Sequence, residues 1–201
     1  MSYPAFYETA PRIRVSDPLS SFLGTSQQGV IEYGYLDVVK LAGHSCPTVA
    51  ATYLMARKAL AHLYPGELPR RGEIRVELRE PIEEGVTGVI GAVLGMLTGA
   101  AGEGGFKGIA GRYERRGLLS YGAPIKGEVR FTRLDTGRSV EANAHPEVAP
   151  SFPTMHSSLG QALQPGTSCE ALEAFGAQWQ ERVRELLVDC ADDPRTVELL
   201  H

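Results

Sequence analysis

The sequence predicts an α+β fold, an antiparallel sheet packed by helices, and three stretches carry that expectation. Apolar residues recur at Val49, Tyr53, Ala56, Leu60 and Leu63, the three- and four-residue steps of one helix face. Soon afterwards Ile74, Val76 and Leu78 alternate with Glu73, Arg75, Glu77 and Arg79, the period of a strand with one buried side. Further along, residues 126–134 and 138–143 flank Asp135-Thr136-Gly137, turn chemistry that suits a hairpin.

Taken in order, residues 1–16 read as an extended arm interrupted by Pro4 and Pro11, in which Ile13 and Val15 can add a strand. Asp17-Pro18 opens a short helix in which Leu19, Phe22 and Leu23 pack, ending at Gly24. Ile31, Tyr33 and Tyr35 alternate, so the first part of 29–40 is expected as a strand, and Asp37, Val38 and Val39 then lead into a loop. The first long helix spans about 46–64 and stops at Pro65-Gly66, and the strand at 73–79 follows.

Residues 85–101 carry no charge, and Gly85, Gly88, Gly91, Gly95 and Gly99 fall at steps of three and four. As a helix this stretch presents a flat glycine stripe on which another backbone can approach closely, in the core or at a dimer contact. It is shorter than the roughly 20 residues that a membrane span needs, and no membrane association is expected. Residues 102–108 form a flexible turn without the Gly-Lys-Ser/Thr ending of a phosphate loop.

The stretch 109–121 reads as strand-like, with Arg112, Arg115 and Arg116 on it, and 145–166, broken by Pro146, Pro150, Pro153 and Pro165, as a loop. Thr167-Ser168-Cys169-Glu170 resembles a capping box. It opens an amphipathic helix of about 168–188 with Leu172, Phe175, Trp179, Val183 and Leu186 on one face. A short turn follows Asp193-Pro194. Without repeats or low-complexity tracts, 1–201 is expected to be a single domain.

At 43% hydrophobic and 22% charged residues, the chain can bury an ordinary core without staples. The net charge of −4 and pI near 5.8 argue against a nucleic-acid binder. Three cysteines, an odd number, fit poorly with a disulfide framework, so a reducing, cytoplasmic setting is expected. The N-terminus has no basic region followed by an apolar core, and no signal peptide is expected.

Chemistry concentrates in Gly43-His44-Ser45-Cys46-Pro47. Proline suits the first helical position, which puts Cys46 at the N-cap, facing free backbone N–H groups and the positive end of the helix dipole. The thiolate is the form that attacks and that binds metal. His44 enters from a glycine-preceded loop and can reach the same space. The plainer reading is a capped helix start with a packed thiol and a backbone-bonded histidine.

Gly43-His44-x-Cys46-Pro47, followed by a small-residue helix, resembles the opening of the FmdE-like family, named for the E-subunit of formylmethanofuran dehydrogenase. The resemblance continues more loosely through the glycine-rich 85–111 and the hairpin, over about the middle half of the chain. It implies a metal-binding α+β protein, often with zinc, that pairs into a homodimer, with His44 and Cys46 as metal ligands. It implies homology to that component of the dehydrogenase rather than its chemistry. Family members carry a further cysteine after the first strand, where this chain reads Arg79-Glu80-Pro81-Ile82-Glu83-Glu84-Gly85 and has none. The remaining ligands are then sought among Glu84, Glu80, Glu83, His145 and His156. Cys169, Cys190 and His62 are expected to be structural, and Asp37 and Lys40 are candidates for orienting the site. Two classes of function stay open: a metal-binding protein without catalysis, and a metal- or thiolate-dependent enzyme acting on a small-molecule ligand.

Overall fold

The computed structural model describes residues 3–200. Met1 and Ser2, the start of the expected arm, lie outside the described residues. The chain first forms a 3-10 turn, Ala5–Glu8, and then strand β1, Ile13–Ser16. Tyr7, Ala10, Ile13 and Val15 are all buried, so this segment is tied into the core. Asp17 caps helix α1, Pro18–Phe22, its Oδ1 accepting from Leu19 N at 2.9 Å and Ser20 N at 3.1 Å. The helix start matches the sequence reading, but Phe22 and Leu23 do not pack inward: they are 58% and 60% exposed. Strand β2, Val30–Tyr33, pairs antiparallel with β1.

A helix absent from the sequence reading follows, α2, Tyr35–Ala42. Gly34 N donates to the Asp37 carboxylate at 2.8 Å and closes its first turn. Tyr35, Val38 and Val39 turn inward at helical spacing, and that burial overrides their preference for strands. Helix α3, Pro47–Leu63, has Cys46 as N-cap and Tyr64 as C-cap. Its burial exceeds the single face expected: Ala50, Ala51, Leu54, Met55 and Ala59 are buried beside Val49, Tyr53, Ala56, Leu60 and Leu63. Alanines let neighbours approach on flanks that periodicity alone would leave open.

Strand β3, Ile74–Leu78, and helix α4, Thr87–Thr98, come next as expected. Strands β4 (Leu119–Ser120), β5 (Val129–Arg133), β6 (Ser139–Ala144) and β7 (Val197–Leu200) complete a sheet ordered β4-β3-β5-β6-β7. Its pairings are antiparallel except at the short β4, which runs parallel to β3. Helix α3 packs on β6 and β7 and carries α2 and α4 beside it, an α+β architecture with a mainly antiparallel sheet.

Three further segments differ from the sequence reading. Of 109–121 only β4 is a strand; Ile109 and Arg112 form an isolated bridge, Ala110 and Tyr113 have positive φ, and Arg115 turns inward. Within 145–166 lies helix α5, Met155–Ala162, in the longest proline-free run of that stretch, anchored by buried Met155. The turn after Pro194 runs on into β7, an edge strand too short to show a period. Helix α6, Cys169–Arg184, starts as expected with Ser168 Oγ accepting from Ala171 N at 3.3 Å, without the reciprocal glutamate bond of a full capping box. A π-turn, Glu185–Asp189, continues it. Among the described residues no helix is long and apolar enough to cross a membrane.

The glycine stripe of α4 meets the chain itself. A Cβ on Gly91 would strike the Tyr121 ring, one on Gly95 would lie 2.9 Å from the Ala100 carbonyl, and one on Gly99 would strike the Arg115 guanidinium and lie 2.9 Å from Gly72 N. The close approach was legible, but its partner is intramolecular. Gly99 has φ 76°, and Gly66 a similar 79° with open space where its Cβ would be. Gly99→Ala is therefore expected to lose roughly 2–5 kcal/mol, strain plus overpacking, and Gly66→Ala about 1–2 kcal/mol. Urea unfolding of both variants checks this; equal losses would refute packing of the stripe within the chain.

Candidate functional site

Helix α2 ends at Gly43, whose φ of 75° only glycine adopts freely, and the chain turns through His44, Ser45 and Cys46 into α3. Cys46 Sγ accepts from Val49 N at 3.4 Å, the N-cap role that its place before Pro47 implied. The Ser45 carbonyl accepts twice, from Trp179 Nε1 at 3.0 Å and Gln180 Nε2 at 3.2 Å. Ser45 Oγ lies 3.0 Å from the Tyr35 hydroxyl, and Gln180 Oε1 accepts from the Tyr7 hydroxyl at 2.9 Å. The Tyr7 and Tyr35 rings meet edge to face at 5.1 Å, and Tyr35 meets Tyr53 likewise at 5.7 Å. Burial pushes the Tyr7 and Tyr35 hydroxyls above the ordinary tyrosine range, Tyr35 far above it, so both stay neutral. Sequence reasoning missed this clamp. Its one available signal was Trp179, an indole that needs an acceptor when it packs against a core.

His44 is exposed, with Nδ1 3.0 Å from the Ala42 carbonyl. A carbonyl can only accept, so this bond puts the proton on Nδ1 and leaves the Nε2 lone pair for a ligand. Cys46 is half-buried. These two donors fall short of the three or four protein ligands that a zinc ion takes. Among the described residues no three His, Cys, Asp or Glu side chains gather to hold a metal.

The other candidate ligands fall elsewhere. Glu84 and His145 come together with Arg79, Glu80, Glu128 and Asn143 around a cavity of about 540 Å³, which neither His44 nor Cys46 lines. His145 Nδ1 lies 3.0 Å from Glu147 Oε1. Glu83 is exposed, and His156 is exposed on α5. Asp37 is engaged at the start of α2 and Lys40 is exposed, so neither orients His44. Cys169 is exposed at the start of α6; burial, with Glu185, Asp193 and Asp189 nearby, pushes the Cys190 thiol up.

No family model and no curated protein matches this chain. Among solved structures there is a likeness. The chain is similar to a protein from Syntrophus aciditrophicus described as tungsten formylmethanofuran dehydrogenase FmdE-like. The two are 16% identical, over 84% of this chain and 71% of that one, with a TM-score of 0.46.

In the 540 Å³ cavity, Glu128 is the acid that the sequence reading did not single out. Burial raises its carboxyl above the ordinary range, against the opposing pull of Ala144 N–H, Arg79 and His145. A carboxyl raised in the folded state holds its proton more tightly there than when unfolded. Its contribution to stability is therefore full below the ordinary carboxylate range and is lost as pH rises through the raised value. Glu128→Gln keeps an acceptor for Ala144 N and removes the titration. Its stability relative to the unsubstituted protein is expected to increase across that window, read by urea unfolding at a series of pH values. A difference that stays constant with pH would refute the burial effect.

Proposed function

We propose that this protein binds a divalent metal, zinc in preference, through His44 and Cys46, and that two copies of the chain pair to complete the site. The observation that carries the reading is the bond from His44 Nδ1 to the Ala42 carbonyl. Metal-binding imidazoles commonly hold their second nitrogen in this way, which fixes tautomer and ring plane. Cys46 adds a sulfur at a helix N-terminus, within a loop clamped by Trp179, Gln180 and Tyr35.

One chain contributes two donors. A two-fold axis repeats whatever it touches, so a second copy would supply the same pair and bring the set to two histidines and two cysteines. That count closes a structural zinc site and leaves no open position for a substrate. The reading is accordingly of a metal-binding or accessory homodimer, and it places no catalytic step on the metal.

Elemental analysis of protein purified without added metal tests it. The unsubstituted chain is expected to carry zinc, one ion for each pair of chains, and Cys169→Ser and Cys190→Ser to keep it. His44→Ala and Cys46→Ser are expected to lose it, a contrast that general misfolding would not produce. Because the ligands must be deprotonated, metal is expected to dissociate on acidification. Light scattering is expected to return twice the chain mass of 21.7 kDa. Retention of metal by all three cysteine variants would overturn the site, and a monomer mass would overturn the pairing.

A further inference from the structure

A second cavity, of about 450 Å³, opens between α1, β2, the C-terminal end of α4 and the glycine-rich loop beyond it. Its walls are mainly apolar, with Leu19, Leu23, Ile31 and Phe106, and carry the hydroxyls of Ser20 and Thr25. Its charged lining consists of Asp17, Arg71 and Arg115, two guanidiniums to one carboxylate. Arg71 Nη1 and Arg115 Nη2 each lie 2.8 Å from an Asp17 oxygen. Asp17 is also committed to Leu19 N and Ser20 N, so its charge is shared among more donors than the two arginines.

Arg115 is only 6% exposed, and its Nη1 is buried without any partner. An unpaired charged donor away from water is costly, and in a native protein it points to an acceptor that comes from outside the chain. Arg71 is held in its plane by two bonds to the Met96 carbonyl, from Nε at 3.0 Å and Nη2 at 2.9 Å. The cavity therefore has a fixed cationic floor under a mainly apolar wall. Phe106, 42% exposed, and Leu23 stand at its mouth.

We propose that this cavity binds a small organic monocarboxylate, its carboxylate against the Arg71–Arg115 pair and its hydrocarbon body along Leu23, Ile31 and Phe106. The excess of one positive charge matches a monoanion. The planar guanidinium fork matches carboxylate geometry, and the volume falls within the range of small-molecule sites, roughly 300–1,000 Å³. The site is separate from His44 and Cys46, and it stands or falls independently of the metal.

Calorimetric titration of the full-length protein with octanoate, 1-octanol and octylamine tests the assignment. Octanoate is expected to bind, 1-octanol to bind at least about tenfold more weakly for want of the charge-assisted bonds, and octylamine not to bind. Leu23→Glu and Phe106→Glu place a carboxylate at the exposed mouth and are expected to weaken octanoate at least about tenfold, with unchanged thermal unfolding. Leu163→Glu, at a 75% exposed position outside the cavity, is expected to retain it. Absence of octanoate binding to the unsubstituted protein would overturn the proposal. So would equal affinity for octanoate and octanol, or octanoate binding to both Leu23→Glu and Phe106→Glu as to the parent.

Discussion

Asp17 joins four parts of the chain that the sequence keeps far apart. Its carboxylate, 3% exposed, caps α1 and takes guanidinium N–H groups from Arg71 and Arg115. Arg71 in turn holds the carbonyl of Met96 near the end of α4, while its own backbone N donates to Ser16 O at the end of β1. Desolvation alone would raise the Asp17 carboxyl; Arg71, the Ser20 N–H and Arg115 outweigh it, and the net displacement is downward. Its stabilising contribution is therefore present above the ordinary carboxylate range and is lost as pH falls through the lowered value. Removing the carboxylate would strand two guanidiniums, one of them deeply buried, a loss on the order of 3–5 kcal/mol. The same imbalance of charge that makes the junction costly to break also leaves Arg115 with capacity for an external anion.

The second constraint is that α3 is pinned at both ends. At its C-terminal end Arg133 of β5 donates to the Leu63 carbonyl at 3.0 Å, stacks 3.8 Å over the Tyr64 ring, and pairs with Glu67 and Asp135. At its N-terminal end the clamp from α6 and α2 holds Ser45. Burial along the length between them leaves the helix no room to slide, so Cys46 is fixed relative to the sheet.

Where periodicity was strong, the structure was legible. The core helix, the β3 strand, the hairpin strands β5 and β6, the glycine-rich helix and the amphipathic α6 all lie where residue patterns placed them. Pro47 and Cys46 marked a helix start by local chemistry alone. The failures have a common cause. Helix α2 and strand β7 are short, and their state is decided by what they pack against rather than by their own residue preferences. The glycine stripe announced a close contact without naming the partner, because Tyr121 and Arg115 reach it from a loop with no period. At the site, His44 and Cys46 were legible because they are neighbours in sequence. Trp179, 134 residues from Ser45, was not.

That clamp bears on how the His44–Cys46 loop is read. A histidine kept only for packing would be buried, or bonded through both nitrogens. His44 is exposed and bonded at Nδ1 to a carbonyl two residues away. Meanwhile the neighbouring Ser45 is held through its carbonyl by an indole and a side-chain amide and through its hydroxyl by neutral Tyr35, while neutral Tyr7 bonds that amide. Buried polar groups are costly to desolvate, so such a concentration around one serine carbonyl and hydroxyl stabilises a particular loop conformation. The conformation it stabilises leaves an imidazole nitrogen on the surface two residues from a sulfur. For the proposed metal site, ordering these groups before an ion arrives would remove that entropic cost from binding itself.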